Sequence, residues 1–166
     1  MFKKIETENE ITHLVTMAHE IWSEYFGSIF DSGILPKLIE GAQSRRIILS
    51  QIKDGYQYFF IIHNGKRIGY FAYKLEHSKR EMFLSKVYIY STHRGEGVGK
   101  KVLRHLESLC HNSGMNKIVL TVYHGNKPSI KAYEHWGFSN LGLIKRHFDN
   151  GLEFQDIKME KVIQAE

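Results

Sequence analysis

Arg94-Gly95-Glu96-Gly97-Val98-Gly99-Lys100-Lys101 stands between residues 82–90, which read as a strand, and residues 98–111, where Val98, Val102, Leu106 and Leu109 mark one helical face. A strand feeding a glycine turn that feeds a helix is a phosphate-binding arrangement. The first backbone N–H groups of the helix have no intrahelical acceptor, and the helix dipole adds positive potential there. Glycines let a diphosphate approach the backbone closely. Spacing separates the families that share this physics. A nucleotide-hydrolase loop of the form G-x-x-x-x-G-K-[ST] needs glycine where Arg94 stands and Ser or Thr where Lys101 stands. A dinucleotide fingerprint G-x-G-x-x-G starting at Gly95 needs glycine at position 100, which is Lys100, and no βαβ unit opens the chain.

Downstream of the turn, residues 118–123 read as a compact strand, 129–135 as a short helix broken at Gly137, and 141–148 with 152–161 as a hairpin across Asp149-Asn150-Gly151. Upstream, residues 56–63 and 67–76 are rich in aromatic and β-branched residues and flank Asn64-Gly65, a type I′ hairpin signal. Earlier still the pattern is helical. After a short strand at 2–5, Thr7 with Glu10 resembles a capping box opening a helix that carries Ile11, Leu14, Val15, Ala18 and Trp22. Further helices are expected near 34–42 and 44–52, the latter stopped by Asp54-Gly55. This order predicts an α+β fold, an α/β mixed sheet.

The chain has 166 residues, which predicts a single domain over 1–166. With 42% hydrophobic and 13% aromatic residues it is no disordered segment. Its apolar runs are far shorter than a membrane span, so no membrane partner is expected. The start lacks an apolar signal core and the single Cys110 cannot close an intrachain disulfide, which together predict a cytoplasmic protein. A net charge of +5 suggests an anionic partner. The charge is scattered and no base-stacking motif is present, so nucleic acid is not expected. The ten histidines show no metal-ligand spacing and no cysteine partners, and no metal site is predicted.

Arg94-x-x-Gly97-x-Gly99 resembles the coenzyme A pyrophosphate loop of GCN5-related N-acetyltransferases, the GNAT family. Asn126-Lys127-Pro128-Ser129-Ile130-Lys131-Ala132-Tyr133-Glu134-His135-Trp136-Gly137-Phe138 resembles the family's second signature, with Asn126, Tyr133 and Gly137-Phe138 in register. The likeness is best over residues 56–138, and the flanking elements fit the family's order. A looser similarity points to bacterial polyamine acetyltransferase-type members. The resemblance implies a central, mostly antiparallel sheet with helices on both faces and a splayed parallel strand pair.

It also implies roles. Acetyl-CoA is the expected cosubstrate, its pyrophosphate held by backbone groups of Gly95, Gly97, Val98, Gly99 and Lys100 with Arg94 adding a positive charge. Val87 and Ile89 would pair with the pantetheine amides, and Asn126 would bind the cofactor or a main-chain group beside it. Tyr133 would be the general acid that protonates the departing thiolate. The implied reaction is transfer of acetyl to a primary amine by direct attack through a tetrahedral intermediate, the acceptor being a polyamine or another small amine. Two other readings stay open: an inactive acyl-CoA-binding regulatory module, and a protein N-terminal or lysine acetyltransferase. Monomer and homodimer are both open. The general base is missing, because many relatives carry Glu on the central strand in the region where this chain has Ser85. Glu24, Tyr25, Glu81 and His124 are the substitutes the sequence offers.

Overall fold

The computed structural model describes residues 1–164. The elements run β1 (Phe2–Lys4), α1 (Glu8–Phe26), α2 (Ile34–Gln43), α3 (Arg45–Lys53), β2 (Gln57–His63), β3 (Lys66–Glu76), β4 (Glu81–Ile89), α4 (Val98–Asn112), β5 (Lys117–Tyr123), α5 (Lys127–His135), β6 (Ser139–His147) and β7 (Glu153–Val162). The strands are ordered β1-β2-β3-β4-β5-β7-β6, and β4–β5 pair in parallel. The expected mixed sheet is therefore present, with strand and helix ends shifted by a residue or two from the sequence reading.

Two compact units divide the chain. The first holds Met1–Tyr73, Lys86–Glu96 and Phe148–Leu152, and the second holds Lys74–Ser85, Gly97–His147 and residues from Glu153 onward. In the first, Thr7 caps α1 as its sequence predicts: the Glu10 N–H donates to Thr7 Oγ1, and the Thr7 N–H donates back to Glu10 Oε2 at 3.0 Å. The α1 stripe of Ile11, Leu14, Met17, Ala18 and Ile21 packs with Tyr58, Phe60, Tyr70 and Ala72 of the β2–β3 hairpin. Val15, expected on that stripe, is only half-buried at its edge. Lys86 of β4 is buried here, donating to the Ala42 carbonyl at 3.0 Å and to Tyr58 Oη.

In the second unit, α4 buries Val98, Val102, Leu103, Leu106 and Cys110. Leu109, expected on that face, is half-buried because the stripe drifts round the helix to Cys110. Cys110 Sγ lies 3.8 Å from Met82 Sδ, and Met82 is the ladder partner of Ile118. Thus α4 covers the sheet face that carries Met82 and Ile118. The β4–β5 ladder comprises Glu81↔Lys117, Met82↔Ile118 and Phe83↔Val119, although β4 continues to Ile89 and β5 to Tyr123. β5 then pairs with β7 along its whole length, and β7 with β6.

Candidate active site

The glycine turn has the backbone its composition demands. Gly95 (φ +81°) and Gly97 (φ +77°) are left-handed, and a Cβ at either would meet no atom within 4 Å. Conformation alone selects glycine at these two positions. Gly97 is the N-cap residue of α4 and has no side chain to cap it, so the Val98, Gly99 and Lys100 amides precede the first intrahelical bond, from Lys101 N–H to Gly97 O.

Gly99 is different. Its φ is ordinary for a helix, and a Cβ there would stand 2.8 Å from Trp136 Cη2. The glycine makes room for an indole, which seats the end of α5 on the first turn of α4. Lys100, Arg104, His135, Trp136 and Lys161 line a cavity of about 360 Å³ beside that turn. Lys161 Nζ donates to the Trp136 carbonyl at 2.7 Å and pairs with Glu107. Part of the scattered positive charge in the sequence therefore converges at the α4 N-terminal turns.

Tyr133 and Asn126 belong to the same unit. Tyr133 is half-buried, its ring edge-on to Trp136 at 5.9 Å and to Phe138 at 5.4 Å between centroids. Asn126 occupies the N-cap position of α5, with Pro128 in the first turn, but its side chain makes no cap hydrogen bond. The Asn126 side chain is therefore not spent on capping α5.

In the first unit, Arg94 is anchored on three sides. Nε donates to the Ile89 carbonyl at 2.9 Å, Nη2 donates to Glu24 Oε2 at 3.1 Å, and the guanidinium carbon stacks 3.7 Å from the Tyr25 ring centroid. Glu24 Oε2 also accepts the Ser91 N–H at 2.8 Å. Arg94 thus pins the segment after β4 to α1, a positioning task the motif alone did not reveal. Burial pushes the Tyr25 phenol up, with the Arg94 charge opposing. Val87 is half-buried and Ile89 buried on the last residues of β4, beyond the β4–β5 ladder.

The substitute bases fare unequally. Glu24 is held by Arg94 and Ser91, and Tyr25 lies under the guanidinium. Glu81 pairs with Lys117 at 3.6 Å. His124 is exposed, its ring 4.8 Å from that of Tyr123. Cys110 is fully buried and its thiol is pushed up to about 12 by burial, which makes it a packing residue rather than a nucleophile. Among the described residues no group of His, Cys, Asp and Glu is placed to hold a metal, and no helix is long and apolar enough to cross a membrane.

Sequence reading missed Asp156. In Glu153-Phe154-Gln155-Asp156-Ile157-Lys158, strand alternation gives a charged residue no mark of burial, yet Asp156 is 1% exposed. Burial pushes its carboxyl up, opposed by Arg146.

The family model for the acetyltransferase (GNAT) family matches residues 15–138. The streptothricin acetyltransferase of Streptomyces lavendulae is 28% identical over 80 residues, covering 48% of this chain and 42% of that protein. The thialysine N-epsilon-acetyltransferase of Mus musculus is 27% identical over 77 residues, covering 45% of each. The chain spans less than half the length of the curated relatives it matches. Among solved structures, the PaiA N-acetyltransferase of Thermoplasma acidophilum in complex with coenzyme A superposes with a TM-score of 0.76 at 18% identity, covering 98% of this chain and 99% of that one. A helix-start loop shaped by two left-handed glycines and a family match over most of the chain agree: this chain belongs to the GNAT acetyltransferase family.

Proposed function

We propose that this protein transfers an acetyl group from acetyl-CoA to a primary amine. The observation that carries the reading is the Gly95–Lys100 turn, where left-handed glycines lead into an α4 terminus with no side-chain cap. Its amides and dipole suit a diphosphate, and nothing near a Cβ at Gly95 or Gly97 would obstruct one. Acetyl-CoA, when bound, supplies a thioester. Gly95, Gly97, Val98, Gly99 and Lys100 hold its pyrophosphate through backbone N–H groups. Arg94 orders that turn through Glu24 and Tyr25, and so supports binding more by position than by a free charge. Val87 and Ile89 offer main-chain groups to the pantetheine amides, and Asn126 a side-chain amide. Tyr133 gives its proton to the thiolate, a small uphill step because a phenol near pKa ~10 faces a thiol near ~8.5.

The acceptor is a small amine. The relatives named for streptothricin and thialysine support that class. A polyamine falls within that class; the acids near α1 that would meet it already have partners, Glu20 accepting from Tyr90 Oη, Glu24 from Arg94, and Asp31 from the Gly33 and Ile34 amides. Thiol release from acetyl-CoA, measured across amino acids, polyamines, aminoglycosides and peptide N-termini, tests the reading. Turnover with a small amine supports it, and binding of acetyl-CoA without turnover on any amine refutes it.

A further inference from the structure

An amine acceptor reaches the enzyme as an ammonium ion of pKa near ~10, and its lone pair must be freed before it attacks a carbonyl. The bases suggested by the sequence are tied up in ion pairs, stacked under a cation or exposed at the surface. One carboxylate in the second unit is buried and only partly satisfied: Thr121 on the same face of β5 hydrogen-bonds the Asp156 carboxyl, and Arg146 stands beside it. Asp156 Oδ2 is buried without a hydrogen-bond partner among the described residues, and the nearest charge, Arg146 Nη1, stands 3.5 Å away. That separation gives attraction but no good hydrogen bond. A buried, under-bonded carboxylate oxygen is costly, and such groups persist where chemistry uses them.

Its place in the fold is specific. Asp156 is the β7 partner of Tyr123, the last residue of β5. This end of β5 runs past Val119, where the ladder with β4 stops, and leads within three residues into α5, the helix of Tyr133. The next pair along, His124 N–H to Gln155 O at 3.1 Å, keeps β7 attached up to the turn before α5. Since α4 covers the face of Met82 and Ile118, the alternation of β5 puts Tyr123 and Asp156 on the opposite face.

We propose that Asp156 is the proton acceptor for the incoming amine. The ammonium N–H bond breaks and its proton passes to Asp156 Oδ2; the electron pair left on nitrogen forms the new bond to the acetyl carbon as the carbonyl pair moves onto oxygen. Collapse of that intermediate breaks the C–S bond, the thiolate taking the Tyr133 proton while the nitrogen's second excess proton restores Tyr133. The carboxyl returns its proton to solvent when the product leaves. The charged or titratable groups around it are Arg146 on β6, Tyr123 on β5 and His124 beyond it. Burial raises the carboxyl's proton affinity, and Arg146 opposes the rise. The proposal rests on the acetyltransferase reading above.

Wild type, D156N, D156E and R146Q are to be compared by thiol release over pH 5–9.5, alongside acetyl-CoA affinity by calorimetry and melting temperature. The rate of the wild type should fall on the acid side as the base protonates. D156N should lose about 10²-fold or more in kcat together with that acid limb, with acetyl-CoA affinity unchanged, and D156E should recover part of the rate. R146Q keeps the carboxyl and removes the countercharge, so its acid limb should move to higher pH; this arm stands even if D156N does not fold. An R146Q limb at the wild-type pH, or a folded D156N with wild-type kcat, overturns the proposal. Wild type that binds acetyl-CoA but acetylates no amine overturns the acetyltransferase reading itself, and the proposal with it.

Discussion

Trp136 occupies the space a side chain on residue 99 would need: a Cβ on Gly99 would lie 2.8 Å from the indole Cη2. The α4 turn and the end of α5 are therefore fitted to each other by one absent methyl group. Gly99→Ala brings two opposed effects. Alanine favours a helix over glycine by about 1 kcal/mol, while overpacking costs roughly 1–3 kcal/mol. The clash should dominate in the wild type and lower the melting temperature. With Trp136→Leu in place, the same Gly99→Ala change should raise it. Thermal unfolding of the four proteins in this cycle checks the pair, and additive effects would contradict the contact.

Gly97 meets no neighbour, so its replacement tests conformation alone. Forcing alanine to a φ of +77° costs about 1–2 kcal/mol, or roughly 2–8 °C in a domain of this size. Gly97→Asn should cost less, because asparagine tolerates the left-handed region. The order Gly above Asn above Ala is expected in both melting temperature and acetyl-CoA affinity, and an unchanged affinity in Gly97→Ala would count against the turn as the phosphate site.

Tyr133→Phe keeps the ring that packs on Trp136 and Phe138 and removes only the hydroxyl. The melting temperature and acetyl-CoA affinity should stay near wild type while kcat drops about 10²–10⁴-fold. Equal turnover by the two proteins would remove Tyr133 from proton transfer.

Arg94 and Glu24 should behave as a coupled pair. Arg94→Met leaves the Glu24 carboxylate without its guanidinium and frees the segment after β4, so acetyl-CoA affinity should fall. Glu24→Gln alone should weaken binding as well, and the double variant should be no worse than Arg94→Met. Fully additive losses would show instead that Arg94 acts on the cofactor independently of Glu24.

The Glu10 carboxyl accepts from the Glu6 and Thr7 amides and pairs with Lys3, which together hold it down at about 2 against an ordinary value of 4.5. Its folded pKa is depressed, so its contribution to stability is present above the unfolded pKa and is lost as pH falls from about 4.5 toward 2. Glu10→Gln should melt below wild type at pH 7, with the gap closing over that acid range. A gap independent of pH would mean the capping bonds do not depend on the charge.

Much of this architecture was legible in the chain. Asn64-Gly65 set the hairpin, Thr7 and Glu10 set the α1 start, and the glycine turn with its downstream Asn126–Phe138 segment pointed to the family. Less visible were the partners of those residues. Arg94 read as a free charge for a phosphate, because nothing local shows that Glu24 and Tyr25, some 70 positions earlier, reach it. Gly99 read like Gly97, because sequence does not distinguish a glycine needed for its φ from one needed for the space beside it.

Periodicity, capping and turn chemistry follow from residues within a few positions of each other, and these local rules give the order of strands and helices. Which polar groups end up with partners is settled by contacts far apart in the chain. Lys86 is buried among carbonyl and phenol oxygens, and Asp156 is buried with one oxygen unbonded, although both stand in ordinary alternating strands. Burial and hydrogen bonding depend on what long-range pairing brings alongside, and that pairing sets the charge and proton affinity on which the proposed chemistry depends.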